Sequence, residues 1–460
     1  MRTLDQIEPR RPLGDVFTPG DGNYAFVISQ PGSYYLPARI AISTPNGIHI
    51  TAAGVTLDLE GFDIGRQAGT GGDAITIDPA AHQCTVKNGT ITGAFDMGVD
   101  GFANGASIRQ LTVTGTTFYG INIAAASVIT DCILRNNGGG GIAATNTFLI
   151  TNCIAYDNGN TGFFTTVNGT LQNCAAYSNS SGIIAGSFST LINCNAYSNT
   201  NDGLTAGNGS TLNNCTSANN GGFYGLSTGD GSTLIGCSSR SNTVADGINA
   251  GKGSSLLNCS SKSNTSADTT SAGIRTLEKC TLVNCTVTET ANTNATASGT
   301  TGMGIRTGEA STVKDCTVGN NKGDGIVVET GSTVTGCTVR ENGFDGIQAP
   351  NDSVITRNNC TANGNGSGVT DGAGIHTTLP GNRIEENQLI LNDYGIKVDS
   401  IHSLIIRNTA RVNSTANYQI AVSNRYGPIL NITAAGAAAV SGSSAADTTA
   451  TTHPWANFSY

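Results

Sequence analysis

The stretch Ser189–Asn199, STLINCNAYSN, sets a polar Asn beside a Cys where a buried strand would carry only apolar residues. Close variants of it recur along the chain. Cys132, Cys153, Cys174, Cys194, Cys215, Cys237 and Cys259 stand 21, 21, 20, 21, 22 and 22 residues apart, and Cys316 and Cys337 are again 21 apart. A fixed period of this length marks a repeat architecture. Metal and redox sites would cluster the cysteines as Cys-x-x-Cys, a spacing that never occurs here.

Counting from each repeat Cys as zero, the residue before it is Asp131, Asn152, Asn173, Asn193, Asn214, Gly236, Asn258, Asn284, Asp315, Gly336 or Asn359. All are types that tolerate a left-handed backbone. Three residues before the Cys lies an apolar residue such as Ile150, Leu171, Leu191 or Val313. That odd offset cannot face one core along a continuous strand, so a corner is expected between the two. Two residues after the Cys comes a second inward position (Leu134, Ala155, Ala176, Ala196, Val318), and five after it an Asn: Asn137, Asn158, Asn179, Asn199, Asn220 and so on to Asn342 and Asn365. A Gly plus an apolar residue, from Gly120-Ile121 to Gly395-Ile396, then opens a third strand.

Three short strands and three turns per ~21 residues describe one coil of a parallel β-helix, all-β and solenoidal. Cys194 is then one step of an inward Cys stack and Asn199 one step of an Asn ladder. Stacked parallel side chains keep Cβ atoms about 4.8 Å apart, beyond the ~3.8 Å a disulfide takes, so the 13 cysteines are expected as buried free thiols. Cys84 and Cys280 lie five residues before the zero position and are expected off the main stack and more exposed. Asn387 and Asn408 stand where Cys had been. Residues 1–46 read as an N-terminal cap, 47–429 as the β-helix, and 430–460 as a low-complexity tail that ends in HPWANFSY with the only Trp.

The framework resembles the right-handed parallel β-helix superfamily that includes pectate lyases. SQPGSYYL, GVTLDLEGFDI, the GAGIHTT…NRIEEN…YGIKVD run and the closing NRYGPI…HPWANFSY are similar to a bacterial family known as right-handed β-helix repeat proteins. The resemblance covers nearly the whole chain and implies the fold and secretion. It carries no activity, because the motifs of the superfamily's enzymes are missing. There is no Asp-Asp pair with Gly-His-Gly and no Asp-Pro-His-Asp.

Composition narrows the function. The net charge of −9 argues against nucleic acid as a partner. No apolar run is long enough for a membrane span, so no membrane insertion is expected. Met1–Asp5 is not a signal peptide, so a secreted or cell-surface location implies a leader absent from this sequence.

Charge and loops point to one face. Thirteen of the 23 Lys and Arg residues fall between 260 and 430, and residues 136–239 hold none. The residue after each Gly-apolar pair is expected to point outward, giving Asn249, Arg275, Arg306, Val327, Gln348, His376 and Lys397 in successive coils. Long insertions at 266–272, 288–303 and 366–373 would wall that edge. Arg275, Arg306 and Gln348 would bind an anionic polysaccharide, with His376 or Lys397 as the base of an eliminating lyase. The alternative for each is an ordinary solvated side chain. Tyr156, Tyr177 and Tyr197 form a three-ring ladder, readable as a sugar platform or as structural stacking. Asp324 and Asp345 precede glycines in adjacent coils and read as turn chemistry, with a hydrolase pair or a Ca²⁺ site as the alternative. No cofactor is implied beyond that Ca²⁺ alternative, and the sequence is silent on oligomeric state. The expectation is an extracellular β-helix that binds an acidic polysaccharide, with its depolymerisation by elimination left open; the rival reading is a non-catalytic structural or adhesion module on the cell surface.

Overall fold

The structure, a computed structural model, describes residues 10–67, 69, 71–268, 270–293, 301–364, 372–431 and 453–459. The chain forms two compact units, Met1–Gly222 and Phe223–Tyr460. Each is a stack of parallel three-stranded coils, about eighteen turns in the two together, and the described residues contain no helix.

The opening stretch shows how one coil is made. The first strand, Thr190–Ile192, ends at Asn193, whose φ of 53° turns the chain. Cys194 points inward, Asn195–Tyr197 form the second strand, and Ser198 (φ 54°) turns the chain again into buried Asn199. Leu204–Ala206 form the third strand. Leu191 is aligned with Leu171 and Leu212 in the coils on either side, all three fully buried. Each such side chain contributes roughly 1.5–3 kcal/mol of burial. Ala196 aligns with Ala176 and Ser217 in the same way.

Two left-handed corners per coil cost roughly 1–2 kcal/mol each for a residue with a Cβ. The Asn ladder offsets this with bonds that run from coil to coil. Asn158 Oδ1 accepts from the backbone N–H and the Nδ2 of Asn137 (3.1 and 3.0 Å), while Asn158 Nδ2 donates to Leu134 O at 3.1 Å and Asn179 Oδ1 at 2.9 Å. Both ends of the Asn158 amide are satisfied in the buried interior, where an unmade bond would be costly. The Gly that opens each third strand is there for space. A Cβ on Gly182 would sit 2.3 Å from Gly203 O and 2.8 Å from Asn199 Nδ2.

All 13 cysteines are free and buried. Each thiol of the main stack faces main-chain carbonyls, as Cys194 Sγ does toward Leu171 O (3.4 Å) and Ile192 O (3.5 Å). Two expectations fail here. Cys84 and Cys280 are 0% and 1% exposed, because their position belongs to a second inward column, in which Ser254 and Ser311 flank Cys280. Burial pushes both thiols up. The coil that contains Cys360 is also offset by two residues from the expected reading, whereas Asn387 and Asn408 hold the Cys position as expected. Asn358 occupies the Cys position, accepting from Cys337 N–H at 2.9 Å and donating to Asn387 at 3.1 Å, and Cys360 sits at the second inward position beside Val339 and Leu389. The corner is therefore Arg357 (φ 57°), not Asn359, and the ladder continues through Asn363. Asn365, given that role from sequence, lies outside the described residues.

The ends are built into the stack. Tyr24–Ile28 pairs with Asn46–Ile50 and Gly32–Tyr35 with Val55–Asp58, so residues assigned to the cap already form a coil. At the other end Asn457–Ser459 pairs with Ile429–Asn431 on one side and with Thr409–Ala410 on the other. Of the run assigned to the tail, residues 432–452 lie outside the described residues.

Candidate functional site

The third strands of the second unit carry the outward stripe. Asn249, Arg275, Arg306, Val327, Gln348, His376 and Lys397 stand in unbroken register, one per coil. Arg306 and His376 are three steps apart, roughly 14 Å at one strand spacing per coil. The register agrees with the sequence reading; the exposure does not. Val327 and His376 are buried at 9% and 8%.

His376 is buried because two carboxylates enclose it. Its Nδ1 lies 2.7 Å from Asp345 Oδ2 and its Nε2 lies 2.8 Å from Asp399 Oδ2. Burial lowers the imidazole's pKa, but the two carboxylates outweigh it and raise the group to about 9, against a smaller opposing effect of Lys397. At neutral pH both ring nitrogens therefore donate, and neither has a lone pair to abstract a proton. This counts against His376 as the base of an elimination.

Arg275 is held in the same manner. Asp246 Oδ2 takes its Nε at 2.7 Å, and Asp246 Oδ1 accepts the N–H of Ala272 at 2.9 Å. Asp345 Oδ1 likewise accepts the N–H of Ala373 at 2.7 Å. In AGIRT (272–276) and AGIHT (373–377) one carboxylate thus clasps the backbone that returns from an insertion and the outward side chain three residues later. Asp324 Oδ1 accepts the N–H of Asp345, its equivalent in the next coil, at 2.8 Å. Among the described residues no group of three or more His, Cys, Asp or Glu side chains is placed to hold a metal ion.

Arg306 faces Glu329 at 3.7 Å, and Lys397 lies over the Tyr394 ring at 5.6 Å. The cations Arg275, Arg306 and His376 are each matched by a carboxylate, so the face is an alternation of donors and acceptors and not a cationic strip. Of the two carboxylates that decide the state of His376, Asp345 reads from sequence as turn chemistry, with a hydrolase pair or Ca²⁺ site as the alternative, and Asp399 is not singled out. Asp399 is 23 residues from His376 along the chain; it follows Lys397 by two and is brought to His376 by the pairing of their strands. Of the insertions expected to wall this edge, residues 269, 294–300 and 365–371 lie outside the described residues.

The tyrosine ladder belongs to the first unit. Tyr156 and Tyr177 stack with centroids 4.9 Å apart and planes 5° apart, and Tyr177 and Tyr197 at 4.7 Å and 11°. Each inner face is covered by the next ring. Tyr177 has no free face to offer a sugar, which supports the stacking reading over the platform.

A family model described as right-handed β-helix region matches residues 46–191, 98–244 and 301–449, more than half of the chain. Among solved structures, the periplasmic alginate epimerase AlgG is similar at 12% identity, over 68% of this chain and 75% of that one, with a TM-score of 0.41. Bacteriophage CBA120 tailspike protein 3 is similar at 10% identity, over 88% and 55%, with a TM-score of 0.31. Pectate lyase Pel9A follows at 14%, over 81% and 72%, with a TM-score of 0.20. At such values the likeness extends to no site and no activity. No curated protein matches the chain.

Proposed function

The chain belongs to the right-handed β-helix family, and from that premise we propose that it is an extracellular carbohydrate-binding β-helix that takes a hydroxyl-rich, weakly charged polysaccharide along the third-strand face of its second unit. The observation that carries this is the in-register row of Arg275, Arg306, Gln348 and Lys397 with Glu329 and Asp399 beside it. Side chains of Glu329 and Asp399 are 43% and 42% exposed, so the row presents acceptors as well as donors to solvent. Sugar hydroxyls need both. A polyuronate would need unmatched positive charge, and Arg275, Arg306 and His376 each have a carboxylate partner.

Binding is favoured over elimination because His376 is held protonated and Arg306 is too far from it to act on the same sugar. The test is affinity for immobilised neutral and uronate polysaccharides, with ultraviolet absorbance for unsaturated products on the same panel. Binding to a neutral polymer, weakened about tenfold in Arg306→Ala, is expected. Unsaturated products from a polyuronate would overturn the reading in favour of a lyase, and no binding to any polymer would favour the non-catalytic rod. That second reading draws on the tyrosine ladder, whose rings serve one another.

A further inference from the structure

The HPWANFSY segment places the chain's only Trp, Trp455, at the surface on a backbone docked against the stack. Asn457, fully buried two residues later, anchors it. Its Oδ1 accepts from Asn408 N–H at 2.9 Å, and its Nδ2 donates to Gly427 O at 3.1 Å and Ile405 O at 3.2 Å. Arg407 Nε donates to Pro454 O at 3.0 Å, and the Trp455 N–H donates to His453 Nδ1 at 3.3 Å. Trp455 nevertheless remains 52% exposed. A large aromatic side chain left wet on an anchored backbone is suited to contact with a ligand.

Beside it is a cleft of about 200 Å³ lined by Arg383, Glu385, Leu404, Ile406, Arg407 and Trp455. Trp455, Leu404 and Ile406 give it apolar surface. The polar lining is two guanidiniums and one carboxylate, all paired: Arg383 Nε donates to Glu385 at 2.7 Å, and Arg407 Nη1 donates to Glu385 at 3.1 Å and to Glu386, outside the cleft, at 3.3 Å. The volume is below the ~300–1,000 Å³ of sites for drug-sized ligands, so the fitting ligand is a single small ring. Because both guanidiniums already have carboxylate partners, the cleft favours a neutral ring over a carboxylate. An apolar surface beside bidentate donors and a carboxylate acceptor matches a ring with a C–H face and a hydroxyl edge.

We propose that this cleft is a binding site for one neutral sugar ring, stacked on Trp455 with its hydroxyls on Glu385 and Arg407. The site shares its ligand class with the proposed function but none of its residues. Trp455 fluorescence reports it alone, because there is no second Trp. The full chain is titrated with neutral mono- and disaccharides, an oligogalacturonate and a phenylalanine-containing peptide. The expected result is a saturable emission shift with at least one neutral sugar, weakened at least fivefold in Leu404→Gln and in Arg383→Ala, and unchanged in Arg306→Ala. Either variant whose sugar-free emission matches the parent has kept the segment docked, so one is sufficient. No shift with any neutral sugar, an equal shift in the docked variants, or a response only to the uronate or the peptide overturns the proposal. Loss of polysaccharide binding at the third-strand face with the Trp455 response intact would refute the proposed function alone.

Discussion

His376 Nδ1 lies 2.7 Å from Asp345 Oδ2, across a pair of coils whose sequence positions differ by 31 residues. This contact fixes a positive charge in a site that is almost closed to water. Its consequence is a pH dependence of stability.

The folded-state pKa of His376 is about 9 against an ordinary 6.5, so folding favours the protonated form. The stabilisation is fully present below pH ~6.5 and is lost as pH rises through about 9. Its full size is on the order of 3 kcal/mol. The groups that set it are Asp345, Asp399 and Lys397. Urea unfolding of the parent and of His376→Gln at pH 6, 7.5 and 9.5 should show a stability difference that shrinks steadily with pH. A difference that is constant or grows would show that the imidazole is not held as a cation.

The Asn ladder predicts a penalty larger than an ordinary polar-to-apolar change. Asn158→Leu removes the acceptor for the buried Asn137 N–H and Nδ2 and the donor to Leu134 O. Groups left unsatisfied at about 1–3 kcal/mol each should lower stability by roughly 3 kcal/mol or more. The denaturation midpoint checks this, and a change below about 1 kcal/mol would mean that water enters the ladder.

Thiol chemistry should be silent in the native protein. All 13 cysteines are buried thiols outside any disulfide, and burial holds Cys360 well above the usual thiol range. A thiol reagent should label few or none in native buffer and 13 in denaturant without reductant. A lower denatured count would reveal disulfides.

Asn457→Ala should release the C-terminal strand without unfolding the coils. Asn408 N–H loses its acceptor, and the pairing of Asn457–Ser459 with Ile429–Asn431 loses its anchor. Trp455 emission should shift to the red, while the unfolding midpoint of the stack moves by no more than about 2 kcal/mol. An unshifted emission would show that backbone pairing alone holds the segment.

Much of this was legible from one residue period. The Cys, Asn and Gly positions give the coil because each must meet its own equivalent one strand spacing away, and a repeated contact leaves a repeated letter. Legibility fails where that rule relaxes. In the coil of Asn358 the Cys column switches to Asn, and the nearby Cys360 drew the sequence reading two residues out of register. Cys280 was misplaced because Ser and Cys are near-equivalent in size, so a Ser column accepts a thiol.

The sequence by itself determined the coil, its period, its corners and the row of outward residues, since these follow from local spacing and stacking. Only the tertiary structure decided what those outward residues face. Asp345 and Asp399 converge on His376 from the coils on either side, and Asn457 joins the Cys-position column next to Asn408 from 49 positions downstream. Charge state and burial depend on such cross-coil neighbours, because electrostatic energy is set by distance in space, and a period along the chain carries no record of it.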